Sequence, residues 1–420
     1  MRIVVTGLGL VTPLGCDVEP VWSRLVAGAS GLRRLAPDVA PDSPAQVAGI
    51  VPGAGEPLGF DADHWVPAKD QKKMDRFIAF AVAAAEQAIT QAGWTPTDEA
   101  SQERTATVIG SGIGGLPSIV EAVRTTEARG VRRLSPFTVP SFLCNLAAGW
   151  VSIRHGFKGP IGAPVTACAA GLQAIGDAAR LIRAGEADVA VCGGAEAAIE
   201  RVSLGGFAAA RALSTAFNET PERASRPFDA GRDGFVLGEG AGILVIEALD
   251  HALARGATPI AELVGYGTSA DAYHLTAGPE DGSGAQRAMR GAIAQAGIAP
   301  SDIGHLNAHA TSTPVGDRGE LAAIRAVFGE RSGLAVSATK SATGHLLGAA
   351  GGVEAVFTVL ALRDGLIPPT LNLEVPDALA QGLDLVAGDA RRGAFDYALT
   401  NGFGFGGVNA SAVFKRWDGR

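Results

Sequence analysis

One cysteine and two histidines carry the chemistry legible in this chain. Cys168 stands in VTACAAGLQAIGDAARLIRAGEADVAVCGG, where a β-like run over 163–167 breaks directly into a helical segment. Leu172, Ile175, Ala179 and Ile182 recur there at helical spacing, and Gly185 ends the segment. A thiol at such a turn meets unpaired backbone N–H groups and the positive end of the helix dipole, which favour the thiolate. The same N–H groups can hold the oxyanion that forms when sulfur attacks a carbonyl. Far downstream stand His309 in NAHATSTPVGD and His345 in TKSATGHLLGAAGG. The set fits acyl transfer through a thioester, with the histidines serving a second, carbon-centred step.

Something must bring residues so distant in sequence together, and a duplication supplies it. Residues 88–98 read AITQAGWTPTD and residues 292–302 read AIAQAGIAPSD, with seven of eleven positions identical. Each copy follows a helical stretch and precedes a strand, expected over 106–109 and 303–308. After the first copy the chain runs through GSGIGG to the Cys168 turn. After the second it runs through NAHATST to a strand over 334–338 and then a helix. That helix is expected to bury one face made by Leu346, Ala350, Val353, Phe357 and Leu360, with His345 at its start. From Asp98 to Cys168 is 70 residues, against 38 from Asp302 to Lys340. The first half is therefore expected to carry an insertion of about thirty residues within 117–150. Alternating strands and helices predict a layered α/β fold with parallel strands, divided into halves 1–250 and 251–420. Two facing halves would set Cys168 of one beside the histidines of the other.

The bulk properties narrow the function classes. With 420 residues, 47% hydrophobic and 19% charged, the chain can bury a large core. A net charge of −8 argues against nucleic acid as the main partner. Four cysteines at 16, 144, 168 and 192 form neither a secreted disulfide framework nor a paired metal site. No run approaches the roughly 20 apolar residues of a membrane span, and the N-terminus opens as a strand, so a reducing cytoplasm is expected. HLNAH sets His305 and His309 four apart on a strand, where that spacing does not close on one ion; His305 is expected to be structural.

Five ordered motifs surround the three residues: VVTGLGLVTPLG, RPFDAGRDGFVLGEGAG, NAHATSTPVGD, SATKSATGHLLGAAG and NGFGFGGVNAS. Together they resemble the β-ketoacyl-acyl carrier protein synthases of the thiolase superfamily, type II above all, over essentially the whole chain. The resemblance implies a duplicated five-layer αβαβα fold, a homodimer, and condensation of an acyl thioester with malonyl-acyl carrier protein in fatty acid biosynthesis. It implies no metal and no resident cofactor, because phosphopantetheine arrives on the carrier protein. Cys168 takes the family's nucleophile position, and His309 and His345 those of the pair that stabilises the enolate. Lys340 matches the family lysine near the site, with Glu354 as its ion-pair partner. Phe405 matches the acyl gate, whose N–H shares the oxyanion hole with that of Cys168. Ile113 resembles the branched residue at the end of the acyl pocket, and Thr311 and Thr313 the hydroxyls that hold the phosphopantetheine arm. Lys69, Lys72, Lys73, Arg132, Arg133 and Arg211 correspond to positions that dock the acidic carrier protein. Departures at Ala310, Ala169, Ala170 and Val408 leave the nucleophile and both histidines intact.

The same three residues also serve an aromatic-polyketide ketosynthase. A biosynthetic thiolase would need a second cysteine in the C-terminal half, and none follows Cys192. The initiating synthases use Cys, His and Asn where this chain offers His345. A chain-length factor lacks the nucleophile altogether.

Overall fold

The hydrophobic patterning resolves into two copies of one five-stranded sheet. The computed structural model describes residues 1–330 and 333–419. In the first copy the spatial order is Ile161–Gly162, Thr105–Gly110, Val189–Glu196, Gly240–Ala248 and Ile3–Thr12. In the second it is Ala335–Ser337, Ile303–Asn307, Tyr397–Gly404, Val408–Arg416 and Ala261–Ala270. The copies join where Val4 and Val5 pair with Glu262 and Ala261, making one sheet of twelve strands that includes the short strands Gly15–Cys16 and Asp384–Leu385. Helices Ala170–Arg183 and Ala350–Asp364 pack between the two sheets, while Arg76–Ala92 and Ser283–Ala296 cover their outer faces. The result is the five-layer αβαβα arrangement.

Four strands of each sheet run in one direction; Gly240–Ala248 in the first and Val408–Arg416 in the second are antiparallel to both neighbours. In the second half the reason is a tight connection. Tyr397–Gly404 and Val408–Arg416 are joined by Phe405, Gly406 and Gly407, far too few residues for a parallel crossover.

The repeated Gln-Ala-Gly turns out to be a paired structural device. Gly93 and Gly297 end their helices in the left-handed region, at φ 61° and 69°. Gln91 Oε1 accepts from Leu8 N at 2.7 Å, and Gln295 Oε1 accepts from Tyr266 N at 2.8 Å. Each glutamine satisfies an N–H just beyond a register shift in its sheet.

Three local expectations change. The run over 163–167 is not a strand: pairing is confined to Ile161–Gly162, because Pro164 has no N–H to continue the ladder. The helix Ala350–Asp364 buries every residue from Ala350 to Leu362, so it has no solvent face. Leu346 and His345 precede it, outside the helix. Finally, the counterpart of Cys168 is Gly348, not Lys340. Ala167 at φ 50° and Leu347 at φ 47° each open a single 3-10 turn, Ala167–Ala169 and Leu347–Ala349, that leads into a central helix. From Asp302 to Gly348 is 46 residues, so the extra length before Cys168 is 24 residues. It forms parts of the helices Leu116–Arg129, Thr138–Phe142 and Leu146–His155 and the turn Val131–Arg133.

Candidate active site

The two equivalent turns meet at the centre of the molecule, and Cys168 belongs to one of them. Ala167, a non-glycine residue at positive φ, lets the chain turn sharply into Ala170–Arg183; such a conformation costs on the order of 1–3 kcal/mol and needs surrounding support. Gly404 supplies some of it from the strand Tyr397–Gly404. A Cβ there would lie 2.5 Å from the Thr166 carbonyl oxygen, so only glycine lets the strand approach the Cys168 turn. The backbone N–H groups of Phe405 and of Cys168 itself act on the sulfur, favouring its anion. These are the donors an oxyanion hole requires.

Cys168, His309, His345 and Phe405 line one cavity of about 460 Å³, together with Thr311 and Thr313. The strands of both halves have thus delivered their residues to a common space. His309 follows the strand Ile303–Asn307, and Glu320 fixes it there by accepting from His309 N at 2.9 Å and Ala310 N at 2.6 Å. Ala310, one of the family departures, keeps this contact. His345 is set by the short strand Leu237–Gly238: its N donates to the Val236 carbonyl at 2.7 Å, and its carbonyl accepts from Gly238 N at 2.9 Å. Phe235 meets the His345 ring edge-on at 5.4 Å. The GFVLGEG motif therefore supports His345.

The two imidazoles stand 5.3 Å apart, nearly perpendicular at 87°. Lys340 Nζ lies 2.5 Å from Glu354 Oε1 and 3.4 Å from His309 Nδ1, with both charged side chains buried. An ammonium group can only donate, so Nδ1 of His309 accepts and the ring proton sits on Nε2. Burial, Lys340 and His345 hold His309 well below the usual imidazole range; burial and Lys340 do the same for His345. Both rings are neutral at pH 7. Burial raises the Glu354 carboxyl to about 7 against the pull of Lys340. Burial also pushes the Cys168 thiol up to about 12, opposed by Lys340 and the two N–H groups. Desolvation therefore works against the thiolate that the turn's N–H groups favour.

The other anticipated residues divide. Thr311 and Thr313 hydroxyls lie 3.1 Å apart, and Thr313 Oγ1 also accepts from Gly316 N as the N-cap of Pro314–Phe328. Phe405 is 39% exposed, at the cavity rim. Ile113 does not line the open cavity; it packs with Cys168, Leu204 and Leu347 in the apolar cluster behind the sulfur. Of the basic positions, Lys72 and Arg133 share one surface cleft, whereas Arg211 lies on the rim of the Cys168 cavity. Lys69 and Arg132 are exposed, and Lys73 is paired with Asp70 at 2.7 Å. His305 is buried with Nε2 2.9 Å from Ser337 Oγ, in keeping with a structural role. No group of three or more potential metal ligands occurs among the described residues, and none of their helices is long and apolar enough to cross a membrane.

Glu320 escaped the sequence reading although its helix carried a signal. Asp317, Glu320, Leu321 and Ile324 share one face by spacing, and all four are buried. An acid within an apolar stripe has to meet donors inside the protein.

The comparisons agree with this geometry. The model "Beta-ketoacyl synthase, N-terminal domain" matches residues 1–252, and "Beta-ketoacyl synthase, C-terminal domain" matches 260–374. The 3-oxoacyl-[acyl-carrier-protein] synthase 2 of Rhizobium meliloti (strain 1021) is 52% identical, covering 100% of this chain and 99% of the relative. The mitochondrial 3-oxoacyl-[acyl-carrier-protein] synthase of Arabidopsis thaliana is 48% identical, over 98% of this chain and 93% of its own. Among solved structures, a beta-ketoacyl synthase from Burkholderia phymatum STM815 superposes with a TM-score of 0.89 at 35% identity, covering 99% of both chains. A chain of the AntDE:AntF complex, a type II PKS acyl-carrier protein with its ketosynthase bound to the hexaketide, gives 0.89 at 32% identity and 99% of both chains. With a thiol and two neutral imidazoles in one cavity, and with both family models spanning most of its length, the chain belongs to the β-ketoacyl synthase family.

Proposed function

We propose that the protein is an elongating β-ketoacyl-acyl carrier protein synthase of fatty acid biosynthesis, with Cys168 as the acyl carrier and His309 and His345 as the decarboxylating pair. The carrying observation is the Lys340 contact to His309 Nδ1, which leaves an Nε2–H donor on a neutral ring beside the nucleophile. Identity of 52% and 48% to 3-oxoacyl synthases, against 32% to a polyketide ketosynthase, favours fatty acid synthesis over the polyketide alternative.

In the first half-reaction the Cys168 sulfur attacks the acyl thioester. The N–H groups of Cys168 and Phe405 hold the tetrahedral oxyanion. The bond to the phosphopantetheine sulfur breaks, and the proton from Cys168 leaves with that thiol. Malonyl-carrier protein then enters, with Thr311 and Thr313 holding its arm. Carbon–carbon cleavage releases carbon dioxide and puts negative charge on the thioester oxygen, where His309 and His345 donate. The enolate carbon attacks the Cys168 thioester, cleavage of that C–S bond frees a β-ketoacyl product two carbons longer, and the released sulfur takes up one proton from solvent. A covalent intermediate makes the kinetics ping-pong. No step transfers electrons to an external acceptor, so the phosphopantetheine of the carrier protein suffices. The acidic carrier docks on Lys69, Lys72, Lys73, Arg132, Arg133 and Arg211, and the halves 1–250 and 251–420 contribute the two sides of the site.

A pH profile tests the histidine assignment. Neutral imidazole is the active form and both rings are depressed, so decarboxylation is lost only as pH falls below the depressed values. The half-maximal point for carbon dioxide release should lie below the free imidazole value of about 6.5. A rate that halves at or above it would remove the neutral-donor role.

The active unit is a homodimer in a reducing cytoplasm, where its four free cysteines stay reduced. Ile161–Gly162 is the last strand of the sheet, with one edge unpaired, and Val131, Phe137, Val139, Leu143 and Val165 are exposed apolar residues in or near the additional segment. An open edge beside such a surface suits two-fold pairing with a second copy. Sedimentation velocity should give a dimer, and Val139→Asp should weaken it. A fully active wild-type monomer at assay concentration would contradict this assignment.

A further inference from the structure

The strand Val189–Glu196 ends in a fully buried carboxylate that the condensation chemistry leaves unused. Glu196 accepts from Ser111 Oγ at 2.8 Å and from the backbone N–H groups of Gly112, Ile113, Gly114 and Gly348 at 2.7–3.3 Å. Burial pushes this carboxyl up, while the hydrogen bonds pull it down. All five groups face it as donors, and that is the environment of an ionised carboxylate. The side chain leaves no space to spare: a Cβ on either Gly112 or Gly348 would lie 2.8 Å from Glu196 Oε2.

The donors come from two turns of different halves. One carries Ile113. The other, Leu347–Ala349, is the counterpart of the nucleophile turn and places Leu347 on the cavity wall. Ile113 and Leu347 share the apolar cluster behind Cys168. A carboxylate fastened to both turns fixes the backbone on which the end of that cluster is built.

We infer that Glu196 is a positioning residue for acyl chain length: it pins the Ile113 turn to the Leu347–Gly348 turn, so that only side-chain rotation can make room for a long acyl chain. The inference rests on the reading of Ile113 as the end of the acyl pocket. Short chains stop before this point and do not sense it. Long chains must pass between the two turns.

The test compares kcat/KM for short (about six-carbon) and long (about fourteen-carbon) acyl donors in Glu196→Gln, with Ser111→Ala as a milder variant and Ile113→Phe as a control for the pocket. Gln turns one acceptor into a donor facing backbone N–H groups, displacing the turn. The long-donor value should fall about tenfold more than the short-donor value, and Ser111→Ala should move the ratio less in the same direction. Equal losses at both lengths in both variants, with Ile113→Phe remaining length-selective, would overturn the role of Glu196 alone. A flat response in Ile113→Phe would overturn the pocket reading, and the inference with it. A structural defect alone lowers both donors together and leaves the ratio unchanged.

Discussion

Cys168→Ala should give a folded protein that takes up no acyl group and makes no product. The fold should survive because Cys168 is flanked by alanines in a small-residue turn, and the truncation removes a single sulfur. The catalytic loss should be about five to six orders of magnitude, the scale seen when a covalent nucleophile is removed. Cys168→Gln separates the half-reactions. Its amide can imitate the acylated thiol, while His309, His345 and the Phe405 N–H remain, so malonyl decarboxylation should persist without condensation. Acyl-enzyme mass and carbon dioxide release, measured separately, check both variants. Persistent acylation of the alanine variant would defeat the nucleophile assignment.

Lys340→Ala should lower both stability and rate, for a different reason. It removes the partner of a carboxylate that is only 4% exposed, and breaking a buried pair from one side costs about 3–5 kcal/mol. It also frees Nδ1 of His309 to carry the ring proton, so the Nε2–H donor is no longer enforced. Loss of one aimed donor costs about 10²–10³ in rate. The double variant Lys340→Met with Glu354→Leu separates these effects, because apolar replacement of both partners removes the stranded charge. Chemical denaturation should show stability largely regained, while decarboxylation stays low. Recovery of both together would make the pair purely structural.

The sequence disclosed this site because its chemistry is concentrated in short motifs. Cys168, His309 and His345 each lie in a run of small residues beside a turn, and the Gln-Ala-Gly repeat marks equivalent helix ends and strand bulges in both halves. What it did not disclose depends on contacts across the duplication. The run before Cys168 reads as a strand, yet Pro164 stops its ladder, whose partner Thr105–Gly110 lies some fifty residues earlier. Counting residues from the repeat points to Lys340 as the counterpart of Cys168, because spacing alone cannot reveal that Leu347 shares the positive φ of Ala167. Glu196 and Glu320 are ordinary acids by type, and their roles follow only from the N–H groups folded around them. The thiol's resting state depends on burial by both halves, which helix-end reasoning at one turn does not include.

Mass spectrometry of the wild-type protein tests the central claim most directly. Incubation with an acyl-carrier protein should add one acyl mass, and peptide mapping should locate it on Cys168. Malonyl-carrier protein should then discharge the adduct, releasing one carbon dioxide for each β-ketoacyl product two carbons longer. An adduct on another residue, or an acyl chain discharged to water without carbon dioxide, would contradict the account.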